Sequence, residues 1–164
     1  MGRVVDLDGL LAEAGRLRAA GLRLSFANGH FDLLHVGHLR YLQDARAQGD
    51  ALVVGLNSDR SVERLKGPGR PIVPAAERAE LLAALEPVDF VVVFDADSPA
   101  ELIAVLEPEV HCKGPDYGSP EQVPEYEVVR AYGGSTRLVG DPKDHNTTDI
   151  IAAVKSLPRP PAGP

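Results

Sequence analysis

The eleven residues from Asn28 to His38, NGHFDLLHVGH, are the strongest local signal in this chain for chemistry on a phosphate. His35 and His38 lie three positions apart, so within one helical turn their imidazoles leave the backbone on the same side. Two imidazoles beside bound phosphates can donate hydrogen bonds to oxygens whose negative charge grows in a transition state. Gly29 and Gly37 have no side chain to hold a ligand away from the backbone. A single histidine at a helix start is commonly a cap or a solvent-facing residue. A pair that frames a glycine at a strand-to-helix turn is much harder to explain in that way.

Such a turn needs a platform, and the flanking sequence supplies one. The apolar run Leu22–Ala27 reads as a buried strand, and a helix is expected from about Val36 to Gln48, with Gly49 as its stop. Further strands are expected near Ala51–Asn57, Phe90–Phe94, Val110–Lys113 and Thr136–Val139. Helical segments are expected over Asp8–Ala20, Ser58–Leu65, Pro74–Leu85 and Pro120–Tyr132, from Ser98-Pro99 to Leu106, and from Thr147 or Thr148 to Ser156. This alternation predicts an α/β fold: a single Rossmann-like domain with a mainly parallel five-stranded sheet and helices on both faces. In such a sheet ligands bind outside the carboxyl ends of the strands, where a starting helix offers free N–H groups to an anion. The domain is expected to fill residues 1–156. The tail 157–164, LPRPPAGP, has four prolines in eight residues and is expected to be extended or disordered.

Other candidates lie at the same predicted edge. Lys66 and Arg70 belong to Lys66-Gly67-Pro68-Gly69-Arg70-Pro71, too rich in Gly and Pro for regular structure, and a loop there could fold over a polyphosphate. Arg78 could reach a phosphate from its helix, since Pro74, Ala75, Leu81 and Leu82 offer it no acid; the competing account is a solvated arginine or a surface ion pair. Asp32 could orient a histidine, hold Mg²⁺ through water, or simply accept turn N–H groups. Lys113, Gly114 and Asp116 follow a predicted strand. Thr147 and Thr148 could cap the last helix or bind phosphate with its N-terminus. His111 and Cys112 read as core or sheet-edge residues, and His145 is given no role.

Composition narrows the class. The 164 residues suit one domain, and 44% apolar with 5% aromatic residues implies a core of Leu, Val, Ile and Ala. Net charge is −7, which argues against a nucleic-acid surface while leaving room for a small anionic ligand. One cysteine permits no internal disulfide, no apolar run approaches membrane length, and the N-terminus is acidic where a secretory signal is basic, so a cytoplasmic protein without membrane contact is expected.

The string Gly29-x-Phe31-Asp32-x-x-His35-x-Gly37-His38 resembles the GxFDxxHxGH signature of the cytidylyltransferase-like nucleotidyltransferases, within the HxGH superfamily. Asn57-Ser58-Asp59, Leu65-Lys66-Gly67, Arg70-Pro71, Glu77-Arg78, Val88-Asp89, Lys113-Gly114-x-Asp116-Tyr117 and Thr147-Thr148 resemble, in order and spacing, the D-glycero-D-manno-heptose 1-phosphate adenylyltransferase branch. The similarity extends over about residues 22–156. Three positions depart from the branch: His30 replaces Cys or Thr, Pro115 replaces Gly, and Asn146 replaces Ser.

The resemblance implies an enzyme that transfers a nucleoside monophosphate from a triphosphate, ATP in that branch, to a sugar 1-phosphate with release of pyrophosphate. It implies catalytic roles for His35, His38 and Lys66, and nucleotide contacts from Asn28, Gly29, Phe31, Asp32, Gly37, Arg78, Asn146, Thr147 and Thr148. Substrate contacts are implied for Lys113, Gly114, Asp116 and Tyr117. Mg²⁺ as cofactor and a homodimer are implied as well. Two alternatives remain: a cytidylyl- or guanylyltransferase acting on another sugar or polyol phosphate, and a nucleotide-binding sensor without catalysis. A fragment of an aminoacyl-tRNA synthetase is weaker, because the chain is short and acidic.

Overall fold

The run ALVVGLN at 51–57 is buried at every position, as a strand covered on both faces requires. It forms β3 (Ala51–Asn57), beside β2 (Leu24–Gly29) on one side and β4 (Phe90–Phe94) on the other. β5 (Val110–Lys113) and β6 (Ser135–Leu138) extend the sheet beyond β2, and β1 (Arg3–Val4) closes the opposite edge. The computed structural model describes residues 1–141 and 147–158. Within them the six strands run in the order β1-β4-β3-β2-β5-β6, every neighbouring pair parallel. The register Asn28↔Gly55 and Gly29↔Leu56 brings the chemical turn to the same rim as the end of β3.

Among the described residues there are seven α-helices, the first six between strands and the last after β6: α1 (Leu7–Ala19), α2 (Val36–Arg46), α3 (Asp59–Lys66), α4 (Ala75–Ala84), α5 (Ala100–Leu106), α6 (Tyr126–Ala131) and α7 (Thr147–Ser156). Local chemistry sets their ends. Asp6 accepts the Gly9 N–H at the start of α1, and Ser58 accepts the Ser61 N–H at the start of α3. α3 stops at Gly67, whose φ of 90° is open to glycine and costly for other residues. Leu42, Ala45, Ala79 and Leu82 from α2 and α4 pack on one face of the sheet, against Leu52, Val54 and Val91. Leu10, Ala14, Ile103, Leu106 and Val129 from α1, α5 and α6 cover the other, against Leu24, Phe26 and Val53.

The class and layering follow the sequence, with two corrections. The sheet has six strands rather than five, because β1 is only two residues long and carries no readable period. Its Arg3 and Val4 pair with Phe90 and Val91. The helix expected over Pro120–Tyr132 is broken into a short 3₁₀ turn at Pro120–Gln122 and α6. Pro124 forces Val123 into an extended conformation, with ψ of 127°, so no helix can pass through it. Smaller shifts place α2's end at Arg46 rather than Gln48 and extend β2 to Gly29.

Candidate active site

A cleft of about 720 Å³ opens at the carboxyl rim of the sheet. The turn after β2 forms its floor. Phe31 sits there in the left-handed region, with φ of 46°, a conformation that costs a non-glycine residue about 1–3 kcal/mol. Its ring is buried and lies 5.2 Å from that of His38, so packing holds the backbone in that state. Gly29 suits the same turn: a Cβ there would lie 3.1 Å from the Phe31 ring, a tight contact that the ring would have to shift to relieve.

His35 is the N-cap of α2 and His38 lies in its first turn. Their rings stack, with centroids 3.8 Å apart and planes inclined by 25°, and both line the cleft. Burial, then the neighbouring His35, lowers the His38 pKa to about 4, so at neutral pH its ring is uncharged. His38 Nδ1 is buried without a hydrogen-bond partner. A proton there would be an orphaned buried donor, which places the N–H on Nε2. Asn28, Gly29 and Gly37 line the cleft beside the pair.

Lys66 ends α3, exposed, and enters the cleft wall. It forms no ion pair among the described residues, whereas Arg70 and Lys113 in the same wall are held by Asp32 and Glu125. Thr147 and Thr148, at the N-terminus of α7, close another side, and the Thr147 hydroxyl reaches Leu33 O at 3.5 Å. Lys113 ends β5, Gly114, Asp116 and Tyr117 follow it, and all four line the cleft as well. Asn146 and His145 lie outside the described residues.

One candidate is placed differently from expectation. Arg78 is absent from the cleft wall and fully buried, at 0% exposure. Its guanidinium donates to Val73 O at 2.8 Å, to Asn57 O at 3.1 Å, to His30 O, and to Asp59 Oδ1 at 2.7 Å. The acid it pairs with comes from α3, which inspection of its own helix could not reveal. Arg78 therefore ties the ends of β2 and β3 to the loop before α4. Asp32 lines the cleft as expected, and of its expected roles it takes that of acceptor for nearby N–H groups: Oδ2 accepts from Arg70 at 2.6 Å, and Oδ1 from the Ile72 and Val73 N–H groups at 2.7 and 3.0 Å. Burial pushes its carboxyl upward, but the Val73, Arg70 and Ile72 hydrogen bonds outweigh this and hold it below the usual range.

That bonding bears on Mg²⁺. Among the described residues no group of three His, Cys, Asp or Glu could hold a metal ion, and Asp32 is committed to the loop. The described residues thus form no cage of protein ligands for Mg²⁺, an ion that commonly takes one or two carboxylates and completes its shell with substrate phosphates and water.

Several cleft residues carry no sequence signal of their own. Tyr41, one helical turn after His38, donates to Cys112 O at 2.8 Å and couples α2 to β5; only its spacing could have flagged it. Glu125 arrives from the far end of the chain by way of the broken helix. His111 is not part of the cleft wall; it is buried in the sheet behind it, as read from the sequence, with its Nε2 3.4 Å from Asn28 Oδ1. Burial and nearby Lys113 lower its pKa to about 3.

Known proteins resemble this chain in sequence and in fold. The cytidylyltransferase-like family model matches residues 26–154. The bifunctional protein HldE of Geotalea uraniireducens is 53% identical over 154 residues, covering 94% of this chain and 31% of that protein. HldE of Halorhodospira halophila is 50% identical, covering 93% and 32%. The chain thus spans about a third of the length of these curated relatives. Among solved structures, the lipopolysaccharide core biosynthesis protein of Thermoplasma volcanium superposes with a TM-score of 0.62 at 26% identity, covering 74% of this chain and 100% of that one. Pantothenate synthetase of Thermus thermophilus, with a TM-score of 0.57 at 18% identity over 85% of this chain and 61% of that one, shares the fold. With a matched model over most of its length and its histidine turn at the sheet's rim, the chain belongs to the cytidylyltransferase-like nucleotidyltransferases.

Proposed function

We propose that the domain transfers a nucleoside monophosphate from ATP to a sugar 1-phosphate, D-glycero-D-manno-heptose 1-phosphate by resemblance of its motifs, with release of pyrophosphate. An oxygen of the acceptor phosphate attacks the α-phosphorus, forming one P–O bond as the bond to the β-phosphate oxygen breaks. The nucleophile is already an anion near neutral pH, so no general base is needed and the protein's work is positioning and charge stabilisation.

In this reading His35 and His38 donate to phosphate oxygens, the uncharged His38 through Nε2–H. Lys66 holds the β- and γ-groups, and Thr147, Thr148 and the start of α7 receive a further phosphate. Lys113, Gly114, Asp116 and Tyr117 meet the sugar-phosphate side. Arg78 positions rather than binds. Mg²⁺ would enter on the triphosphate, held by its oxygens and water. The observation that supports the reading best is the stacked histidine pair at a helix start on the sheet's carboxyl rim.

The test is a matrix of four nucleoside triphosphates against several sugar and polyol phosphates, scored by pyrophosphate release. Release with ATP and the heptose phosphate is expected. Release with CTP or GTP, or with a different acceptor, would redirect the specificity, and calorimetric binding without release in any pairing would favour a sensor. Sedimentation analysis tests the homodimer that the resemblance implies. No helix among the described residues is long and apolar enough to cross a membrane.

A further inference from the structure

Glu125 is the most buried of the five carboxylates that line the cleft, the others being Asp32, Asp97, Asp116 and Asp141. Its side chain is 5% exposed, yet it lines the cavity. An ionised carboxylate has about four acceptor positions, and here few are used. Oε1 receives the Ser98 hydroxyl at 3.3 Å. Oε2 has the Lys113 ammonium at 3.3 Å and no aligned hydrogen bond. A buried polar atom without a hydrogen bond is costly, so a site that retains one beside a cavity is built for a donor brought by the ligand.

The sheet says where that donor arrives. Cys112 belongs to the core on the α2 and α4 face. The next residue along the strand, Lys113, therefore points to the opposite face, where α5 and α6 pack. Ser98 precedes α5 and Glu125 precedes α6, so Lys113, Ser98 and Glu125 form a wall across the rim from the histidines that start α2. A carboxylate there repels phosphate and favours neutral donors.

We infer that Glu125 is a specificity residue that accepts hydrogen bonds from hydroxyls of a sugar ring, either the acceptor's ring or the ribose of the nucleotide. The identity of these ligands rests on the transferase reading above; the acceptor geometry does not.

Equilibrium binding by calorimetry keeps the two apart. Wild type, E125Q and E125D are titrated with ATP, 2′-deoxy-ATP, 3′-deoxy-ATP, the heptose 1-phosphate and inorganic phosphate, and pyrophosphate release is recorded in parallel. Wild type is expected to bind one hydroxylated ligand at least about 10-fold more tightly than its hydroxyl-free counterpart, as loss of a hydrogen bond to a charged group implies. Both variants are expected to lose that preference while binding inorganic phosphate as before. Loss of the ATP preference assigns the ribose; loss against the heptose phosphate alone assigns the acceptor. A wild type that does not discriminate by hydroxyl overturns the inference without any variant. So does a variant that keeps the preference, or one that weakens every ligand equally, since the latter marks a support for Lys113. Absence of pyrophosphate release with intact hydroxyl discrimination would sink the transferase reading alone.

Discussion

Arg70 and Asp32, distant in sequence, meet at 2.6 Å and so fasten the Gly/Pro loop to the turn that carries the histidines. The same carboxylate takes the N–H groups of Ile72 and Val73. D32A would leave these donors without their acceptor, for which about 2 kcal/mol of stability is expected to be lost. Urea denaturation measures the loss, and trypsin should cut faster after Lys66, since the bond after Arg70 leads into Pro71 and resists the protease. A variant as stable and as resistant as wild type would show that the loop is held by other means.

The stacked imidazoles set up a kinetic prediction. H38A removes a donor aimed at charge that develops during the reaction, so turnover should fall roughly 100-fold or more with little change in KM. H35A should behave similarly. Loss confined to KM would mean that the histidines bind the ground state only.

Arg78 is expected to matter for folding more than for chemistry. R78M removes the charge that satisfies three carbonyls and Asp59, at an expected cost of about 3 kcal/mol. R78K should recover only part of that, because an ammonium cannot reproduce the planar fork. Unfolding curves for the two variants test the order. R78K equal to wild type would contradict the clamp.

Acid sensitivity follows from the buried imidazoles. The pKa of His38 is lowered to about 4 and that of His111 to about 3, both from 6.5. Between these values the unfolded chain binds more protons than the folded one, so stability is complete above about pH 6.5 and declines as pH falls toward 3. Thermal unfolding across that window should show the decline, and H38N should flatten it most above pH 4. A slope unchanged in H38N would mean that the ring is protonated as freely in the folded state as in the unfolded one.

The sequence carried the strands, the histidine turn and the loop well, because each is a local pattern: an apolar run, a fixed spacing, a cluster of Gly and Pro. It did not carry partnerships. Asp59 and Arg78 are neighbours only because α3 and α4 pack beside the same rim, and nothing in either helix names the other. Pro124 signals a delayed start to the helical run Pro120–Tyr132, but nothing local says that the extended Val123 before it brings Glu125 to the cleft. β1 was invisible because two residues have no period, and its place depends on the open edge of β4.

That edge strand has a practical outcome. β1 runs parallel to its neighbours, so residues 1 and 2 lie at the amino ends of the strands, and Gly2 N–H bonds Ala83 O there. Anything tethered ahead of Met1 would leave from the base of the molecule, on the side away from the reaction chamber. An affinity handle or a second catalytic unit joined at that point should leave substrates free to come and go.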